Sequence, residues 1–177
     1  MKDQPINQPV IETKRLTLRP LMTSDAGLLT LYAGDSRVAH NISLPHPLPP
    51  GETEAFIARS NMPDRIEDVW ALDGSKSGLP ELLGVASLER LDREQSEISY
   101  WVAPPFWNMG VASEVVEAMV ATNPQAARTI FAEVIQTNPA SARVLTNAGF
   151  DYLGDAEMFL LANGAKVPSW TYMRKVE

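Results

Sequence analysis

Apolar and polar residues alternate from Arg15 to Arg19 (Arg-Leu-Thr-Leu-Arg), the period of a half-buried strand. Pro20 ends it. Thr23 or Ser24 stands where a helix cap belongs, with Asp25 in the first turn, and the helix runs to about Ala33 with Leu28, Leu29, Leu31 and Tyr32 on its apolar side. Pro45, Pro47, Pro49 and Pro50 then crowd the stretch between His40 and Gly51, which excludes a regular helix or a central strand there. The segment 52–60 predicts a second helix carrying Phe56 and Ile57 inward. Three short strands follow as an antiparallel meander: 69–72, closed by Asp73-Gly74; 82–91, with Gly84 as a weak point or bulge; and 98–102, after a turn over 92–95.

Beyond Pro104-Pro105 the period changes. Gly110 precedes a helical run with Val115, Val116, Ala118, Met119 and Val120 on one side. Thr129 to Ile135 is β-branched and apolar, as a buried strand is. Asn138-Pro139 opens another helix that reaches Asn147, with Gly149 at its close. The strands 150–153 and 170–173 complete the chain. The order is strand, two helices, three strands, helix, strand, helix, two strands. That order predicts a mixed α/β (α+β) fold on one sheet. Residues 1–9, polar and broken by Pro5 and Pro9, read as a flexible leader, and residues 10–177 as a single domain.

Composition narrows the chemistry. The net charge of -7 argues against nucleic acid as a partner, because phosphate neutralisation needs a basic surface. The absence of cysteine excludes disulfides, Cys-ligated zinc, iron–sulfur clusters and a thiol nucleophile. With His40 and His46 the only histidines, no metal site is expected. No run of 18 or more apolar residues is present, so no membrane-spanning helix is expected. The first residues hold no apolar run of signal-peptide length, and the expected setting is the cytoplasm.

The window from Glu97 to Ala112 holds the chemistry. It reads strand, proline loop, glycine, helix. A glycine turn entering a helix exposes backbone N–H groups at the positive end of the helix dipole, a combination that takes phosphates. Neither a GxGxxG nor a GxxxxGK[ST] pattern is present, which sets aside the dinucleotide and Walker fingerprints. One strand later come Asn138-Pro139-Ala140-Ser141 and Gly149-Phe150.

Together these stretches resemble the GNAT superfamily of acetyl-CoA-dependent N-acetyltransferases, and within it the RimJ/RimL-like type that acetylates ribosomal-protein N-termini. The resemblance is carried by Thr13-Lys14-Arg15-Leu16-Thr17-Leu18-Arg19-Pro20, by Leu44-Pro45-His46-Pro47, by Tyr100-Trp101-Val102-Ala103-Pro104 through Trp107-Asn108-Met109-Gly110-Val111-Ala112-Ser113-Glu114, and by Asn138 and Ser141 with Gly149-Phe150 and Gly154. It spans residues 11–176 and implies the GNAT fold: one mostly antiparallel twisted sheet of six to seven strands with about four helices. It also implies that the amides from Met109 to Ser113 cradle the CoA diphosphate, with Trp107 and Asn108 leading into the loop. The strand Tyr100-Trp101-Val102 would pair with the pantetheine arm, and Asn138 and Ser141 would lie beside the arm and the sulfur. Two positions depart from the family pattern. Met109 stands where Lys or Arg is usual, and Asn147-Ala148 stands where Lys often precedes Gly-Phe.

The implied reaction is direct attack of a primary amine on the thioester in a ternary complex, since no cysteine can carry the acyl group. Such attack needs a base for the amine proton and a partner for the leaving sulfur. Glu97 is the first candidate base and Glu89 the second; each also reads as a solvated strand carboxylate, Glu89 more so than Glu97. Ser141 is the candidate general acid or hydrogen-bond partner of the sulfur. His46 and Tyr172 are candidates for the acceptor side. The acceptor is a protein N-terminal α-amine or a small-molecule amine. A degenerate acyl-CoA-binding or interaction module is the rival reading, and the resemblance leaves monomer and homodimer open.

Overall fold

The computed structural model describes residues 8–176; the first seven residues of the expected leader lie outside the described residues. Gln8 and Pro9 already pack: Gln8 donates from Nε2 to the Val69 carbonyl at 2.7 Å, and the Trp70 indole donates to the Pro9 carbonyl at 2.8 Å.

The strands are β1 (Ile11–Glu12), β2 (Thr17–Pro20), β3 (Glu67–Asp73), β4 (Gly84–Arg90), β5 (Gln95–Val102), β6 (Thr129–Ile135), β7 (Asp151–Leu160) and β8 (Ala165–Lys175). The helices are α1 (Ala26–Ala33), α2 (Ser36–Ala39), α3 (Glu52–Ser60), α4 (Val111–Thr122) and α5 (Pro139–Asn147). All eight strands form one sheet in the order β1-β2-β3-β4-β5-β6-β8-β7, in which only β5 and β6 run parallel. The sheet therefore has more strands than the six or seven expected, and there are five helices rather than four. The extra elements are β1 and α2, two and four residues long and too short to show a period. The closing hairpin is much longer than 150–153 and 170–173, because exposed polar residues dilute its alternation.

Strand alternation gives the sheet two faces. On one, α4 and α5 cover Leu18, Trp70, Leu72, Ala86, Leu88, Ile98, Ile130 and Ala132, all buried. On the other, Leu29 of α1 and Ile57 of α3 pack on Val69, Ala71 and Val85. Neither Thr23 nor Ser24 caps the first helix. Both lie in a short 3-10 turn, Thr23–Asp25, that leads into α1; Asp25 at its end accepts from the Met22 N–H at 2.8 Å and from both Nη atoms of Arg19, and its side chain makes no capping bond to α1. Gly84 is not a bulge: a Cβ there would lie 2.1 Å from the Trp101 carbonyl oxygen, so β4 and β5 approach closely at that point.

Candidate active site

The site opens where the sheet splays. β5 pairs with β6 only through Gln95, Ser96 and Glu97, and beyond Glu97 the two strands part. On the β4 side, the Ala103 N–H donates to Leu83 at 2.8 Å. On the far side, the Val102 carbonyl accepts from the Trp107 indole at 2.6 Å. Backbone alternation along a strand therefore turns the Tyr100 N–H and C=O, and the Val102 N–H, into the gap. An extended amide-bearing chain can add there as a strand would.

Two chambers meet at this gap. The first, about 550 Å³, lies between β5, α4 and α5 and is lined by Tyr100, Trp101, Val102, Trp107, Asn108, Gly110, Val111, Ala112, Ser113, Asn138 and Ser141. It thus gathers the residues expected at the cofactor, with one exception. Met109 does not line it and is 39% exposed. Arg143 and Asn147 of α5 line it too; the sequence marks Asn147 only as a departure from the family pattern and does not single out Arg143.

At the far end of this chamber the chain enters α4. Asn108 has φ 61° and Gly110 φ 75°, left-handed conformations that turn successive amides toward one side. Among the described residues, the N–H groups from Asn108 to Ser113 have no hydrogen-bond partner in the protein. Six free donors at the positive end of a three-turn helix suit a diphosphate.

At the near end, the Tyr100 hydroxyl and Ser141 Oγ are 2.8 Å apart. Burial pushes the Tyr100 phenol up to about 12, against a lowering hydrogen bond from Ser141, so it stays protonated. Asn138 accepts from the Ser141 N–H at 3.4 Å and caps α5.

The second chamber, about 510 Å³, lies on the α1/α3 face. It shares Tyr100, Trp101, Asn138 and Ser141 with the first, together with Asn41 and Ile42 of the loop after α2. Glu67, Glu97 and Glu133 line it, with Phe56, Leu44, Met158 and Leu161 as apolar walls. Glu67, Glu89 and Glu97 form a row across β3, β4 and β5, with each successive pair in register. Burial, then the charges of Glu133, Glu89 and Glu67, raise the pKa of Glu97 above the usual carboxylate value. Glu97 thus stands at the apex of the splay. Glu89 is its cross-strand neighbour and does not line the chamber.

Two acceptor-side candidates lie elsewhere. Tyr172 of β8 is opposite Ala132, on the α5 face, where it is buried edge-on to Tyr152. Its strand parity turns it away from the second chamber. His46 lies beside His40, with ring centroids 5.9 Å apart, and lines neither chamber; its neighbours Leu44 and Pro45 line the second. Among the described residues, no group of three or more His, Cys, Asp and Glu side chains is arranged to hold a metal, and no helix is long and apolar enough to cross a membrane.

Residues 15–151 match the family model of the acetyltransferase (GNAT) domain. A curated relative, YoaA of Bacillus subtilis strain 168, described as an uncharacterized N-acetyltransferase, is 27% identical, and the alignment covers 93% of this chain and 95% of that protein. Among solved structures, the ribosomal-protein α-N-acetyltransferase RimL in complex with coenzyme A superposes with a TM-score of 0.80 at 18% identity, over 95% of this chain and 98% of that one. Spermidine N-acetyltransferase from Vibrio cholerae, in complex with CoA and spermine, gives 0.77 at 16%, over 91% and 95%. At these identities the structural likeness is one of fold. The family match spans most of the chain and includes the splayed strands and the amide cradle, and the chain belongs to the GNAT family of acetyl-CoA-dependent N-acetyltransferases.

Proposed function

We propose that the first chamber binds acetyl-CoA and the second a cationic amine, and that Glu97, which lines the second chamber where β5 and β6 part, takes the amine proton. The residues present fit the acyl donor. The free amides from Asn108 to Ser113 suit its diphosphate, and the open edge at Tyr100 and Val102 suits the amides of its arm. Acetyl-CoA supplies the activated acyl group as a thioester. Glu97 accepts a proton from the ammonium, directly or through one water, because only the free amine is nucleophilic. Its raised pKa brings it nearer the operating pH, where a base works best. Ser141 Oγ offers a hydrogen bond to the departing sulfur, and the Tyr100 hydroxyl orients it. Asn138 holds the first turn of α5, and so the Ser141 backbone, in place.

The carboxylates of the second chamber carry the reading of the acceptor. Glu67, Glu97 and Glu133 line its sheet side, while Glu52 on α3 is paired with Arg59, and the remaining walls are largely apolar, which suits an ammonium followed by further cationic or apolar groups. A protein N-terminus, as in RimJ/RimL-type enzymes, and a small polyamine both meet that description. The chain from residue 10 onward acts as one catalytic domain, in keeping with the single sheet that runs through it.

The test is to incubate the protein with acetyl-CoA and a panel of peptides and small amines, following free thiol and acetylated product together. Equal amounts of both, greatest for acceptors with a second positive charge, support the reading. Tight CoA binding with no thiol release across the panel points instead to a binding module.

A further inference from the structure

Met109 leaves the cradle without the basic side chain that its sequence motif leads one to expect, and it points away from the chamber. Another part of the chain brings a cation to the same loop. The link between β1 and β2 lies against the first turn of α4, where Glu114 stands. The Thr13 hydroxyl donates to Glu114 Oε2 at 2.6 Å, the Arg15 N–H to the same oxygen at 3.0 Å, and Arg15 Nε to Oε1 at 2.8 Å. Against the upward push of partial burial, these bonds hold the Glu114 carboxyl below its usual range, so it remains charged. An uncompensated carboxylate one turn from the free amides would repel a diphosphate. Arg15 offsets it. Nε is committed to Glu114, while among the described residues Nη1 and Nη2 make no hydrogen bond. Nη2 lies 3.5 Å from where a Cβ on Gly110 would sit.

We propose that Arg15, held by Thr13 and Glu114, is the positioning residue that supplies the positive charge beside the diphosphate cradle and thereby sets affinity for the nucleotide half of acetyl-CoA. This rests on the assignment of the α4 N-terminus as that cradle. The test compares steady-state turnover of acetyl-CoA with that of acetyl-pantetheine, which has the thioester and arm but neither diphosphate nor adenosine. Arg15→Ala is expected to raise KM for acetyl-CoA about tenfold, roughly one charged contact, with kcat at saturation and kcat/KM for acetyl-pantetheine within about twofold of wild type. Arg15→Lys, which keeps the charge, should recover to within about threefold in KM. Thr13→Val, which removes one bond and no charge, should raise KM by about twofold to threefold. An unchanged KM for acetyl-CoA in Arg15→Ala, or an equal loss with both thioesters, overturns the proposal. Gly110→Asp is the reference. If it raises KM for acetyl-CoA while Arg15→Ala does not, Arg15 alone is misassigned; if neither has an effect, the cradle is misplaced and the proposal falls with it.

Discussion

Gly84→Ala places one methyl group where the fold has no room for it. The added Cβ would meet the Trp101 oxygen at 2.1 Å and the Val102 Cα at 2.9 Å, both backbone atoms of β5. Ordinary contact is more than 1 Å longer than the shorter of these, and no flexible side chain can yield, so β5 itself must move. Overpacking of this kind costs about 1–3 kcal/mol, and an obstacle made of backbone belongs at the upper end. For a chain of this size that is a fall in melting temperature of about 6–12 °C. The functional effect should exceed the thermal one. The displaced segment, Tyr100 to Val102, presents the free edge of the splay and holds Ser141 through the Tyr100 hydroxyl. A shift of about 1 Å in groups that position a reaction can cost about 10²-fold in rate. The assay is thermal unfolding alongside thiol release at saturating acetyl-CoA, with residual activity measured well below the new melting temperature. A variant with unchanged melting temperature and unchanged kcat would refute the account of Gly84 as a close-approach residue behind the active strand.

Other perturbations probe the junction itself. Tyr100→Phe removes the partner of Ser141 Oγ, and should lower kcat about threefold to tenfold with little change in KM for acetyl-CoA; combining it with Ser141→Ala should add little, which a double-mutant cycle would show. Glu97→Gln should stabilise the fold at neutral pH. The folded-state pKa of Glu97 is raised, so in the window between the unfolded and folded values the folded state binds more protons, and stability falls as pH rises through it. The gain from Glu97→Gln, read as melting temperature, should therefore be present at pH 7 and vanish below about pH 4. Equal melting temperatures of variant and wild type at both pH values would contradict the burial and charge argument.

Much of the site was legible in the sequence because its signals are local. Gly110 before a helical run, Asn138-Pro139 at a helix start and the β-branched run of β6 each declare themselves within a few residues, and α4, β6 and α5 stand where those signals put them. What stayed hidden depends on pairing. The splay after Glu97 follows from where β5 and β6 stop bonding, and no residue type marks that place. The alignment of Glu67, Glu89 and Glu97 across three strands is set by register, so each looks alone like an ordinary surface carboxylate. Arg15 and Glu114 are joined across most of the chain, and a strand arginine carries no sign of a helix partner. Tyr172 misled for the same reason: its position near the last strand was visible, but the face it occupies was not.

The central claim is that Glu97, in the second chamber at the last pairing of β5 with β6, takes the proton of the attacking amine. The most direct measurement is the pH dependence of kcat for wild type and Glu97→Gln, with a working acceptor and saturating acetyl-CoA. The account predicts that the wild-type rate rises with pH through a limb above the usual glutamate value, and that Glu97→Gln loses this limb along with about 10²–10⁴-fold in rate at its plateau. Superimposable profiles of equal height would contradict it.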